Sequence, residues 1–149
     1  MFIGSYQHSI DEKGRIIIPS RFREGLGSRS VITRGLDQCL FLFPIEEWEK
    51  QSRELANLPL SKADARAYSR LFFAGASECE LDKQGRIMIP PYLREYGKLD
   101  KDVVIIGVSS RIEIWAASVW QEYSQKAEAS YEEIAEHLAG IGQGIPKDG

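Results

Sequence analysis

Asp11-Glu12-Lys13-Gly14-Arg15-Ile16-Ile17-Ile18-Pro19 returns at an offset of 71 as Asp82-Lys83-Gln84-Gly85-Arg86-Ile87-Met88-Ile89-Pro90. The match runs on through Arg23-Glu24 against Arg94-Glu95, with Phe22 facing Leu93. A one-residue shift then sets Val31-Ile32-Thr33-Arg34-Gly35 against Val103-Val104-Ile105-Ile106-Gly107 at an offset of 72. Leu40, Leu42 and Trp48 fall on Ile112, Ile114 and Trp120. Self-similarity at a fixed spacing means one supersecondary unit used twice, so the reading of a single unit decides the fold.

Within one unit, an extended stretch (Tyr6 to Ile10; Ser77 to Leu81) ends at an aspartate. Asp opens turns by accepting bonds from nearby backbone N–H groups, and Gly14 or Gly85 supplies a positive φ. An apolar strand follows and stops at Pro19 or Pro90, since proline cannot continue a central strand but suits a first helical turn. Short helices are expected over Ser20 to Gly25 and Pro91 to Tyr96. Strands are then expected over Val31 to Arg34, Leu40 to Phe43, Val103 to Val108 and Glu113 to Trp115. Arg111-Ile112-Glu113-Ile114-Trp115 alternates polar and apolar residues, the pattern of a half-buried strand.

The expected organisation is a first module over 5–50, a helical connector over 51–75, a second module over 76–121, a C-terminal helix over 122–140 and a flexible tail over 141–149. Two helices are read here, Ile45 to Asn57 after Pro44 and, beyond a break at Leu58-Pro59, Lys62 to Phe73, opened by a capping box with Asp in place of Glu at Ser61-Lys62-Ala63-Asp64. Trp120, Tyr123, Ala127, Ile134 and Leu138 share one face of a continuous C-terminal helix. A module this small buries too little apolar surface to be stable alone. Two copies packed together answer that, giving an α+β, mainly β fold: a pseudo-twofold β-barrel with helices after each module.

Of the 149 residues, 43% are hydrophobic and 28% charged, the composition of a folded globular chain. No apolar run approaches the roughly 18 residues of a membrane span. Met1-Phe2-Ile3-Gly4 shows no charged segment followed by an apolar one, so no secretion signal is read and a cytoplasmic location is expected. Cys39 and Cys79 have no metal-ligand spacing and read as small core residues. The only histidines, His8 and His137, adjoin no nucleophile motif, and Gly140-x-Gly142-x-Gly144 follows no strand, so neither catalysis, a cofactor, a metal nor a small-molecule substrate is expected.

A net charge of −3 argues against nucleic acid until its distribution is considered. Asp11 to Arg34 carries six cations and three anions, and Asp82 to Lys101 five and three. Gln121 to Gly149 carries two cations and six anions. The acidity is C-terminal, and both repeated turns lie in basic segments. Lys13 with Arg15, and Lys83 with Arg86, place cations at turn tips. Arginine bonds guanine O6 and N7 bidentately, and lysine supplies charge toward phosphate. Arg21, Arg23 and Arg94, just downstream, widen the basic surface or form a solvated helix face. A purely structural role is the competing reading of the turns, Arg15 pairing with Asp11 and Arg86 with Asp82.

Tyr6-x-His8-Ser9-Ile10-Asp11-x-Lys13-Gly14-Arg15, Gly75-Ala76-x-Glu78-Cys79 and Asp82-Lys83-Gln84-Gly85-Arg86-Ile87-x-Ile89-Pro90 together resemble the bacterial MraZ family, whose chains hold two SpoVT-AbrB modules. The resemblance covers roughly residues 1 to 140. It implies an AbrB/MazE/MraZ-like barrel and ring-shaped homo-oligomers. It also implies repression of transcription by binding short tandem sites upstream of the division and cell-wall gene cluster, the chain's own promoter included. A nucleoid-associated location and DNA contacts at Asp11 to Arg15 and Asp82 to Arg86 follow from the same resemblance. One departure is visible: Lys83-Gln84 stands where the first turn has Glu12-Lys13, so the lysine is displaced by one position. Two alternatives use the same modules differently. An AbrB-like antitoxin would need a toxin partner to stay ordered, and a ring scaffold would tolerate charge reversal at the turns.

Overall fold

The computed structural model describes residues 1–141, so the tail expected over 141–149 lies, apart from Ile141, outside the described residues. Met1–Ala117 forms one compact unit and a second begins at Ser118. In that unit the first repeat runs β1 (Ser5–Ser9), β2 (Arg15–Ile17), α1 (Ser20–Leu26), β3 (Arg29–Arg34) and β4 (Leu40–Pro44), followed by α2 (Ile45–Ala56) and α3 (Ala63–Ala74). The second repeat follows as β5 (Ser77–Glu80), β6 (Arg86–Met88), α4 (Pro91–Tyr96), β7 (Asp102–Val108) and β8 (Arg111–Ala116). Two further helices are α5 (Ala117–Ala129) and α6 (Tyr131–Leu138). The fold is mixed α+β, mostly sheet, from two repeated modules.

Each repeat pairs two of its own strands, β3 with β4 and β7 with β8, but neither is self-contained. A six-stranded sheet has the order β1-β7-β8-β4-β3-β5, so β1 pairs with a strand of the second repeat and β5 with a strand of the first. β4 and β8 meet at the middle, with Leu40 opposite Ile114 and Leu42 opposite Ile112. A separate ribbon pairs β2 with β6, Arg15 opposite Met88, Ile16 opposite Ile87 and Ile17 opposite Arg86. The backbone bond Ile18 N–H to Gly85 O (2.9 Å) is matched by Ile89 N–H to Gly14 O (2.8 Å).

The core lies between this sheet and a layer made of the ribbon with α1 and α4. Ile32, Leu40, Leu42, Val103, Ile105, Ile112 and Ile114 point inward from the sheet. Ile16, Ile18, Ile87, Ile89, Phe22, Leu26 and Leu93 meet them from the other layer. The opposite face of β3 and β4 is covered too. Phe43, Trp48 and Phe72 pack with ring centroids 5.3 to 6.3 Å apart, and Thr33 Oγ donates to Phe72 O at 2.7 Å.

Several expectations are corrected. No closed barrel forms among the described residues, because β2 and β6 are three residues long, pair with each other and are ended by Pro19 and Pro90. The strand offset of 72 is 73 across β3 and β7: Arg29 and Asp102 open the two strands and the same run of four buried residues follows. The longer β3–β4 turn, with Asp37 (φ 63°) and Gln38 (φ 70°), restores 72 by Leu40 and Ile112. A slip of one residue reverses which face is buried, so pairing rather than apolar content fixes the register. β8 is not half-buried: Glu113 is 7% exposed, its carboxylate held by Arg111 Nη2 (2.8 Å) and Trp115 Nε1 (3.1 Å). The capping box at α3 does not form; Lys62 is the cap residue and no side chain caps the helix. The C-terminal helix is broken at Ser130 (φ −117°, ψ 18°), whose carbonyl accepts from Ile134 N–H at 2.9 Å as α6 begins.

Ile16 and Ile87 face each other where the repeats cross, at 0% and 1% exposure. Truncation there leaves a cavity that two modules share. Ile87→Ala is expected to destabilise the protein by about 2–5 kcal/mol, read from the urea midpoint at unchanged m value; a loss within experimental error would show that the crossing contributes little.

Candidate nucleic-acid interface

Each repeated turn is a closed hydrogen-bond frame around one aspartate. Asp11 Oδ1 accepts from the backbone N–H of Lys13 and of Arg15, both at 2.9 Å, while Oδ2 accepts from Arg15 Nε at 2.8 Å. Backbone bonds from Asp11 N–H to Arg15 O and from Gly14 N–H to Asp11 O complete it. Asp82 repeats the arrangement with Gln84 N–H, Arg86 N–H and Arg86 Nε at 2.9, 2.9 and 2.8 Å. Gly14 and Gly85 sit at φ 82° and 75°, a conformation that glycine alone adopts freely.

Arg15 and Arg86 therefore pair with their aspartates, as the structural reading expected. They pair through Nε alone, and no bond to Nη1 or Nη2 is formed among the described residues. The aspartate thus fixes the plane of the guanidinium and leaves its outer edge open. An arginine held this way loses little conformational freedom when that edge binds.

Arg23 and Arg94 behave differently from a solvated helix face. Both are half-buried, and Nε donates to Ile18 O (2.9 Å) and Ile89 O (3.1 Å) respectively. Each reaches across to the other repeat's turn. A methyl group on Gly14 would lie 2.7 Å from Arg94 Cζ, and one on Gly85 would overlap the Arg23 guanidinium. Each turn is therefore assembled from both repeats, a crossing that no local pattern in the chain signals. Arg21 is exposed on α1. Lys13 and Lys83 are exposed at the turn tips, but at different positions: Gln84 N–H takes the place of Lys13 N–H on the aspartate.

The two turns meet through the ribbon. Ile16 and Ile87 point into the core, so alternation places Arg15, Ile17, Arg86 and Met88 together on the outer face. Arg15 and Arg86 occupy one diagonal of this patch, a separation of roughly 7–8 Å between diagonal neighbours. Ile17 (43% exposed) and Met88 (57%) occupy the other. The sequence reads this run only as an apolar strand ending at Pro19 or Pro90. The pairing of β2 with β6 is what turns every second residue outward.

Elsewhere, Cys39 and Cys79 are buried and unpaired. Burial pushes both thiols up, that of Cys79 to about 12, so neither is a nucleophile at neutral pH. His8 lies on β1 opposite Val103 and His137 in the last turn of α6. Among the described residues no helix is long and apolar enough to cross a membrane.

The backbone bonds from Arg15 and Arg86 hold the carboxyls of Asp11 and Asp82 below the usual 3.8. Their pKa is depressed on folding, so each frame's contribution is complete above the unfolded value of about 3.9 and is lost as pH falls through the folded one. In NMR titrations the amide signals of Lys13, Arg15, Gln84 and Arg86 should hold steady from neutral pH to about 5 and move only below about 4. Movement centred at or above the free carboxylate value would refute the frame.

The family model described as "MraZ protein, putative antitoxin-like" matches twice, over residues 1–71 and 72–141. The chain is 59% identical over 145 residues to the "Transcriptional regulator MraZ" of Pelotomaculum thermopropionicum, covering 97% of this chain and 100% of that protein. It is 58% identical over 138 residues to the protein of the same name from Caldanaerobacter subterraneus, covering 93% and 96%. A solution structure of PHS018 from Pyrococcus horikoshii aligns over 76% of this chain and 88% of that one, at 15% identity and a TM-score of 0.31, too weak to bear on the fold. With a family model matched in two consecutive repeats and relatives this similar along nearly their whole length, the chain belongs to the MraZ family.

Proposed function

We propose that this protein is a non-enzymatic, sequence-specific DNA-binding transcriptional regulator and an autorepressor. It binds short tandem repeats upstream of the division and cell-wall gene cluster, and so acts in the cytoplasm at the nucleoid. The relatives' shared name supports regulation of transcription. The observation that carries the DNA reading is the pair of framed arginines, Arg15 and Arg86, presented on one outer face of a two-stranded ribbon. Strands about 4.8 Å apart make a ribbon that fits a major groove about 12 Å wide. The arginine diagonal spans about two base-pair steps at 3.4 Å each.

The residues divide by role. Arg15 and Arg86 read guanine through their open edges. Asp11, Gly14, Asp82 and Gly85 hold the turns. Lys13, Lys83 and Arg21 supply charge toward phosphate, Lys83 from a shifted position. Arg23 and Arg94 support the opposite turn and add positive potential. The reciprocal ribbon and sheet pairings support reading the chain as a pseudo-twofold AbrB-like arrangement, with modules at 5–50 and 76–121 joined by the 51–75 connector.

One such face has few charges and binds weakly. A homo-oligomeric ring holding several faces at fixed spacing multiplies affinity on tandem sites through effective concentration. Ile134 and Leu138, four residues apart on α6 and each more than 40% exposed, suit a contact between copies.

Two outcomes are expected. Arg15→Ala with Arg86→Ala should keep the melting temperature yet lose about 1–3 kcal/mol of sequence discrimination per arginine. Fluorescence anisotropy would measure this on the duplex upstream of the chain's own coding sequence against a scrambled one, across a salt series; equal affinity of wild type and double variant at matched salt would overturn the site. Light scattering at micromolar concentration should give a mass above that of a dimer, and a monomeric mass would remove the ring.

A further inference from the structure

A single exposed Ile or Met needs no explanation on a protein surface. Here the same strand position is exposed in both repeats, and the two side chains sit beside the framed arginines. Ile17 lies directly opposite Arg86, and Met88 directly opposite Arg15, with Cβ atoms about 4.5–5.5 Å apart. The outer face of the ribbon is therefore a four-cornered patch in which cation and apolar group alternate. Solvent-facing strand positions usually carry polar residues, and a β-branched or long apolar chain left in water contributes nothing to the core. Ile16 and Ile87 already fill the inner side of the same ribbon.

The surface such a patch complements has hydrogen-bond acceptors and apolar groups interleaved at a spacing of one to two base pairs. The major groove has that surface: guanine O6 and N7 accept, and the thymine 5-methyl is the one apolar group on its floor. A phosphate backbone would complement the arginines and leave the apolar pair unmatched. Ile17 and Met88 lie directly opposite the two arginines on the same face of the ribbon, so they approach the groove floor if the arginines reach guanine.

We infer that Ile17 and Met88 are specificity-determining residues that pack against thymine methyl groups flanking the guanines bound by Arg86 and Arg15. The inference rests on the proposed DNA reading and deepens it. The arginines set which positions hold guanine, and the apolar pair sets which neighbours hold thymine. The methyl contact is uncharged, so it adds discrimination without adding to the salt dependence.

The test replaces thymine with deoxyuridine, which removes only the methyl group. Wild type, Ile17→Ala and Met88→Ala are each titrated, at one salt concentration, with the duplex upstream of the chain's own coding sequence in thymine and uracil forms. Wild type should bind the uracil form more weakly, by about fourfold per contacted methyl. Each variant should lose part of that difference, and the double variant nearly all of it, while the salt slope stays at the wild-type value. The paired comparison cancels any change in duplex shape, which affects wild type and variant alike. Both side chains are exposed, so the variants should melt with wild type. An equal uracil penalty in wild type and double variant, or no penalty in a wild type that discriminates its own duplex from a scrambled one, would overturn the inference and leave the DNA reading standing. A wild type that cannot discriminate the two duplexes would remove the DNA reading, and this inference with it. A change in oligomeric mass in the variants without any coupling to the methyl groups would reassign the patch to contact between copies.

Discussion

The structure depends on a backbone exchange three residues long. β2 and β6 pair with each other, and the bonds from Ile18 N–H to Gly85 O and from Ile89 N–H to Gly14 O lock each strand to the other repeat's turn. From that crossing the sheet order follows, because β1 is carried to β7 and β5 to β3. The core follows too, since Ile16 and Ile87 can be buried only together. A small module that cannot bury enough apolar surface alone has here no self-contained form: its edge strand, its ribbon strand and its supporting arginine all find their partners in the other repeat.

The same crossing couples stability to the proposed site. Arg94 braces the turn that ends in Arg15, and Arg23 braces the turn that ends in Arg86. Damage to either repeat would reach both turns. The structural and functional readings of Asp11–Arg15 and Asp82–Arg86 therefore do not compete. Exposed ion pairs contribute little to stability. Two such pairs with identical atoms and distances, each using one edge of the guanidinium and leaving the other, are better explained as positioning than as stabilisation.

Much of this was legible in the sequence for identifiable reasons. The repeat marked the modules; Asp, Gly and Pro at fixed places marked the turns and strand ends, because few residues can do what those do. Helices α2 and α3 were placed to within a residue or two by Pro44 and by the Leu58-Pro59 break. What failed were the features that depend on partners far along the chain. Periodicity could not show that Ile17 faces water while Ile16 and Ile18 do not, that Arg23 serves the other repeat's turn, or that Glu113 would be buried with Arg111 and Trp115 as its partners. The one-residue slip between β3 and β7 was hidden for the same reason: an uninterrupted apolar run such as Val103 to Ile106 fits either register, and only the pairing with β1 selects one.

The asymmetry between the repeats carries the last step. The aspartate, glycine and arginine that build each frame are identical, whereas the residues around them differ: Glu12-Lys13 against Lys83-Gln84, and Ile17 against Met88. Selection for shape alone would leave the surroundings free, and selection for a perfectly symmetric ligand would keep them equal. A duplicated frame with unequal flanks fits a ligand whose two halves are alike but not identical. Ile17 is stiff at χ1 and Met88 is pliant, so the first repeat holds its apolar group in one place while the second can adjust. Under the proposed DNA reading, the first turn would then set the stricter half of the recognition and the second would tolerate more variation in its half of the site.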